Sequence, residues 1–404
     1  MALPRNRGWL RHRVRPAWRR LVTRHPDLRS LRGLSVGSIE AGEAAMPNLV
    51  KPDDVEKVLA ASSRNYRFTS PTVIEQAPLA VTELNGAILS GATGAVGVGG
   101  AVIAESILGP MHPERYRERR GARRIAGRVA GTVVPLIGDR SAGSNYFHWI
   151  IDVLPRAIAL EHYTSSEPAS IVVPEARRGF VDESINRLLN RYPIASVHDA
   201  SSSGWFETQR LLLATYPRGD FSALLPSAVV RWLRSLFIDD EDAGKRPPGD
   251  QRLVYVHRRK PARRHIDNDA SVIDLVTELG FESVELENLT VAEQAKLFSD
   301  AGVVVAGHGA GLANIVFSQG AEIVEFAAER LIAPHYAVLS QSTGNEYQPF
   351  WCESAPSGGY WVDIDRLAEV LNDVLEKRTQ RARGDSMTKL STPTKCDSCP
   401  PATP

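Results

Sequence analysis

Cysteine is scarce. Three in 404 residues, Cys352, Cys396 and Cys399, cannot build a disulfide framework, and so few thiols suit a reducing compartment. Cys396-x-x-Cys399 sits in a tail rich in Pro, Thr and Ser, with no second pair to complete a tetrahedral zinc site, so no metal is expected there. Net charge is also nearly absent: a formal +1 provides no global field for nucleic acid. Long apolar runs are missing too. The nearest, "GAILSGATGAVGVGGAVIAESILG" over 86–109, is interrupted by glycines and contains Glu105, a composition suited to strand edges and turns rather than a spanning helix. An apolar core of about 7–15 residues does not follow the Arg-rich start, so no secretory leader is expected.

What remains is a soluble globular composition, 43% hydrophobic and 24% charged, on a chain longer than one hydrophobic core usually serves. The first 35 residues carry arginines from Arg5 to Arg32 against a single acid, Asp27. Among them Trp9, Leu10, Val14, Trp18, Leu21 and Val22 recur near helical spacing, which suits a helix on an anionic membrane surface or a partner-packed terminal helix equally. We therefore divide the chain into a basic arm over 1–45, an α/β domain over 48–235, a polar linker over 236–251, a second α/β domain over 252–380 and a disordered tail over 381–404. Beyond the linker, strand and helix signals alternate cleanly, as in a parallel sheet covered by helices on both faces. Thr290-x-x-Glu293 is a capping box at one helix start.

Three clusters carry chemistry. The first is "AGVVVAGHGAGLANIVFS", residues 301–318, a strand delivering its chain into Gly307-His308-Gly309-Ala310-Gly311. Glycines there allow backbone to approach a ligand, and N–H groups at a following helix start favour phosphate; a tight turn with a satisfied histidine is the plainer alternative. Esterases also use His-Gly turns, and Gly33-Leu34-Ser35-Val36-Gly37 matches G-x-S-x-G, but the order of the two motifs is reversed and the serine lies in the arm. The second cluster is "VYVHRRKPARRHIDND", residues 254–269, where guanidinium groups at a strand end could clamp a diphosphate or form a solvated loop. The third is "GSNYFHWIIDVLPR", residues 143–156. Four residues apart on a helix, His148 and Asp152 share a face, beside aromatic side chains that either pack a core or stack on a sugar.

Taken together, "NYFHWIIDVLPR", "VHRRKPARRHIDND" and "LENLTVAEQAKLFSDAGVVVAGHGAGLANIVFSQGAEIVEF" resemble glycosyltransferase family 61 in motif order, over roughly residues 80–350. That family includes plant xylan arabinosyl- and xylosyltransferases, animal O-linked N-acetylglucosaminyltransferases and capsule-type prokaryotic proteins. The resemblance implies a GT-B architecture, two Rossmann-like domains facing across a cleft. It also implies inverting transfer from a nucleotide sugar, generally UDP-linked, to a glycan, lipid-linked or surface-polysaccharide acceptor, without a required metal or other cofactor. His257 departs from it, a serine being common there. Carried onto this chain, Arg258 with Arg263 or Arg264 would hold the diphosphate. Gly307, His308, Gly309, Ala310, Gly311, Leu312 and Asn314 would form the donor pocket, and Glu325 would bind ribose hydroxyls. His148 would be the base with Asp152 orienting it or serving instead, and Asn145, Tyr146 and Trp149 would face the acceptor. A cytoplasmic enzyme whose arm rests on the inner leaflet is the expected setting. A non-catalytic sugar-nucleotide or glycan-binding relative, and a membrane scaffold acting through residues 1–35, remain alternatives.

Overall fold

A computed structural model describes residues 28–29, 37–38, 80–98, 101–103, 106, 125–138, 143–200, 204–214, 223–238, 250–258, 264–328, 333–355 and 357–390. The helix expected in the arm and the Cys396/Cys399 pair lie outside these residues.

The first sheet has ten strands: β1 (Leu28–Arg29), β2 (Gly37–Ser38), β3 (Ala80–Asn85), β4 (Ile88–Ser90), β5 (Val96–Val98), β6 (Ala101–Ile103), β7 (Ile125–Pro135), β8 (Ala169–Pro174), β9 (Ile194–Ala200) and β10 (Trp205–Ala214). Strands β10, β7, β8 and β9 run parallel in that spatial order. On the far side of β10, strands β3 and β4 pair with it antiparallel, and β4, β5 and β6 continue as a meander. The first half is therefore a parallel block with an antiparallel extension, not the fully parallel sheet that a Rossmann-like half implies. β8, "ASIVVP", is buried along its whole length, as a strand covered on both faces must be.

The second sheet is wholly parallel and contains β11 (Arg252–Val256), β12 (Glu282–Val284), β13 (Ala301–Gly307), β14 (Glu322–Ala327) and β15 (Glu346–Trp351). Its spatial order is β12-β11-β13-β14-β15, or 2-1-3-4-5 counted along the chain. Order reverses between β11 and β13. A doubly wound sheet of this kind binds its ligand there, outside the carboxyl ends of the strands. A small hairpin, β16 (Glu353–Ser354) with β17 (Tyr360–Trp361), follows.

The α-helices are α1 (Gly179–Arg191), α2 (Ser227–Phe237), α3 (Asp269–Glu278), α4 (Val291–Ser299), α5 (His335–Thr343) and α6 (Ile364–Leu390). Helix α6 runs past residue 381, where the tail is expected to begin. On one face of the second sheet, α3 and α6 cover Tyr255, Val303, Val305 and Phe326. On the other, a single apolar core continues from α4 and α5 through α1 and α2 to the first sheet, taking in Trp149, Leu188, Leu233, Phe298, Val304 and Leu339. Polar contacts reinforce this seam. The backbone N–H groups of Val291 and Ala292, at the start of α4, donate to Glu183 of α1 at 2.7 and 2.9 Å, alongside the expected Thr290–Glu293 capping box. Arg234 of α2 donates to the carbonyls of Val316 and Ser318, and burial pushes its guanidinium down to about 10.

Candidate active site at the switch point of the second sheet

The site begins with the strands. Val256 closes β11 and the chain passes through His257 to Arg258, whose side chain is exposed. β13 ends at Gly307 in the turn Gly307–Gly311. The two segments meet: a methyl group on Gly309 would lie 3.4 Å from Nη1 of Arg258, so the absence of a side chain there leaves room for the guanidinium over the turn. Gly309 itself is extended, so space and not backbone conformation is what glycine supplies. Gly311 is different, because a Cβ would stand 2.8 Å from Cδ1 of Leu286; that glycine serves close packing. The helix after the turn is a seven-residue 3-10 segment, Ala310–Val316. What the site offers an anion is accordingly the turn's own backbone and the arginines, not the macrodipole of a long helix.

Arg258 pairs only loosely with Glu287, at 4.0 Å and in solvent, an arrangement that contributes little and leaves the charge available. Arg264 adopts the left-handed region, φ 58°, unusual for a residue with a side chain. Arg258 and Arg264 both act electrostatically on Tyr336, whose phenol donates to the carbonyl of Gly309. Burial, with Glu325 adding to it, raises the Tyr336 pKa well above its usual value, so it remains a neutral donor. Arg263 lies outside the described residues.

Beneath the turn is a buried triad. His308 Nδ1 faces Oε1 of Glu325, and the other carboxylate oxygen accepts from Tyr347 at 2.7 Å. His308 is 4% exposed and Glu325 fully buried. Both Glu325 oxygens are thus committed, which corrects the expected ribose contact: the carboxylate holds His308 instead. That contact fixes the orientation of the imidazole ring beneath the turn.

The 143–156 cluster sits directly against this turn. Its helix is wide at first, a π-helix over His148–Val153, and tightens to a 3-10 helix over Leu154–His162, with Pro155 near the junction. Such π segments are often found at functional sites. His148 Nδ1 is 2.6 Å from Asp152 Oδ2, the histidine being partly exposed and the aspartate fully buried. Phe147 bridges the two dyads, edge-on to His148 at 5.4 Å and to Tyr336 at 5.8 Å, while Tyr336 lies 5.1 Å from the His308 ring. Tyr146 donates to Asn314 Oδ1 at 2.6 Å; burial and then Glu183 raise its pKa, against that hydrogen bond, so it too stays protonated.

Other expected contacts are corrected by their surroundings. Trp149 is fully buried, its indole N–H on Ser184 Oγ, and belongs to the core, not to an acceptor surface. Leu312 is likewise core. Asn314 is fully buried, with its amide on Gln294 and the Gly311 carbonyl, so it joins the two halves behind the turn. Asn145 is partly exposed and accepts from the His148 backbone at 3.3 Å. Tyr336 and Tyr347 lie in none of the three clusters and were not expected as site residues, whereas Phe147 belongs to the 143–156 cluster as one of its aromatic side chains. Among the described residues, no cluster of three or more His, Cys, Asp or Glu side chains is placed to hold a metal ion, and no helix is long and apolar enough to cross a membrane.

The architecture is that of an α/β protein with its candidate site at a sheet switch point. The family model described as Glycosyltransferase 61 matches residues 146–324, a little under half of the chain and the part that contains both dyads except Glu325. No curated protein matches it.

Proposed function

We propose that this chain is an inverting glycosyltransferase. It takes a sugar from a nucleoside-diphosphate donor, UDP-linked, and passes it to a glycan, lipid-linked or surface-polysaccharide acceptor. One observation supports the reading: a chain of ring contacts through Phe147 and Tyr336 joins the His148–Asp152 dyad to His308 in the turn at the β11/β13 switch point. In this reading the two sheets are the donor-side and acceptor-side halves of a GT-B enzyme.

Transfer then proceeds as follows. Asp152 accepts a hydrogen bond from Nδ1–H of His148, which leaves Nε2 as the basic nitrogen. Nε2 takes the acceptor hydroxyl proton as that oxygen bonds to the anomeric carbon. On the opposite face, the bond from the anomeric carbon to the diphosphate oxygen breaks and the leaving group keeps the electron pair. Arg258, Arg264 and the turn's N–H groups offset that charge, the task a divalent ion performs elsewhere; no metal is required.

The test is release of nucleotide from a panel of UDP-, GDP- and CDP-linked sugars, with water as the acceptor and EDTA present. Wild type should release one nucleotide, yield a sugar of inverted anomeric configuration, and lose this activity in His148→Ala. A retained configuration, or undiminished release by the variant, refutes the mechanism.

A further inference from the structure

The hairpin β16–β17 lies beyond the segment matched to the family, yet it is tied to the loop that presents Arg264. Ile266 forms a parallel bridge with Tyr360. The N–H of Tyr360 donates to the His265 carbonyl at 2.8 Å, and that of Asp267 to the Tyr360 carbonyl at 2.9 Å. Asn268 and Val362 exchange two more bonds, and Ser357 reaches the Asp267 carboxylate. Gly359 is closed in as well: a Cβ there would stand 2.3 Å from the His265 carbonyl oxygen.

This pairing fixes where Tyr360 points. Strand alternation turns Trp361 to solvent, 50% exposed, and Tyr360 inward, fully buried. Its hydroxyl is buried with no hydrogen-bond partner among the described residues, although a buried phenol normally finds one. Glu325, Arg264 and Cys352 act electrostatically on it, and it acts in turn on Tyr336, so it lies among the groups at the carboxyl end of the second sheet. Glu325 has both oxygens engaged by His308 and Tyr347. Burial, with Glu325 adding to it, keeps the phenol protonated despite Arg264. An O–H donor without a partner, set beside a guanidinium, fits a phosphate oxygen.

We propose that Tyr360 is a donor-binding residue, its hydroxyl donating to an oxygen of the donor's diphosphate next to Arg264. The hairpin thereby completes the donor site. This rests on the nucleoside-diphosphate reading given above.

The test is calorimetric titration of UDP, GDP and CDP into the full chain and into Tyr360→Phe, with thermal unfolding of each protein alone. Phenylalanine removes only the hydroxyl. Affinity for the diphosphate that binds wild type should fall about tenfold or more, the usual effect of losing a hydrogen bond to a charged group. Meanwhile the unliganded variant should unfold at the same or a higher temperature, because an unsatisfied buried hydroxyl has been removed. Equal affinity in the two proteins overturns the proposal and leaves the underlying reading intact. A fall in both affinity and unfolding temperature also overturns it, showing the hydroxyl to be structural. Wild type that binds no nucleoside diphosphate overturns the underlying reading and this proposal together.

Discussion

Replacing Asp152 with asparagine changes one buried atom and isolates what the carboxylate does for His148. The aspartate is fully buried and 2.6 Å from Nδ1, so the isosteric amide occupies the same space. Two things change. A neutral amide no longer stabilises the imidazolium that forms as the acceptor proton arrives, and an amide N–H turned towards Nδ1 selects the tautomer with its proton on Nε2, which cannot act as a base. A positioned general base contributes about 10²–10⁴ in rate, or about 2.7–5.4 kcal/mol at 1.36 kcal/mol per decade. Asp152→Asn should therefore lower nucleotide release at least about 100-fold. Affinity for the nucleoside diphosphate should stay within about twofold, because the isosteric change acts on the base and leaves the arginines and the turn unaltered. Release assayed at saturating nucleotide sugar, beside calorimetric affinities, reads both quantities. Turnover within about threefold of wild type would show that the base lies elsewhere.

Glu183→Ala removes a carboxylate that caps α4 from the opposite half of the molecule, and should cost about 1–2 kcal/mol in urea unfolding; no measurable change would mean the seam does not depend on it. Burial holds the Cys352 thiol up at about 12. Peptide-resolved alkylation at pH 8.5 should thus be slower at Cys352 in the folded chain than in urea by on the order of 10³, and a comparable rate would refute that environment. The linkage has a definite sign. The folded pKa is above the unfolded one, so this thiol's contribution to stability is present below about pH 9 and is lost as pH rises towards 12. Gly311→Ala, which brings a methyl to 2.8 Å from Leu286 Cδ1, should lower stability by about 1–3 kcal/mol in the same urea assay; a neutral result would show that Leu286 can yield.

Much of the second sheet was legible because its strands are unbroken apolar runs between amphipathic helices. "GVVVAG" is strand β13, and Thr290 with Glu293 marks the start of α4. β15 and the hairpin were less visible: "EYQPFW" contains a proline and mixed polarity, and "ES" and "YW" are too short for a period. In the first half, β9 is half exposed and presents no apolar run. His148 and Asp152 were expected to share a helical face and do, although neither the π turn nor the 3-10 turn after it can be read from an i, i+4 spacing. Orientation was the harder matter. Tyr146 and Trp149 are three residues apart, but one reaches Asn314 and the other Ser184 in the core. Glu325 was expected, from the resemblance, to bind ribose hydroxyls; its partner in the structure, His308, is 17 residues away, a pairing that the adjacent parallel strands bring about.

The most direct test of the central claim, that the β11/β13 switch point holds a nucleoside diphosphate, is titration of UDP into wild type and Arg258→Ala in EDTA. Arg258 is exposed and its ion pair with Glu287 is loose, so the variant should fold as wild type does while binding UDP about 10–100-fold more weakly. Equal binding by the two proteins, or binding that disappears with EDTA, would contradict the account.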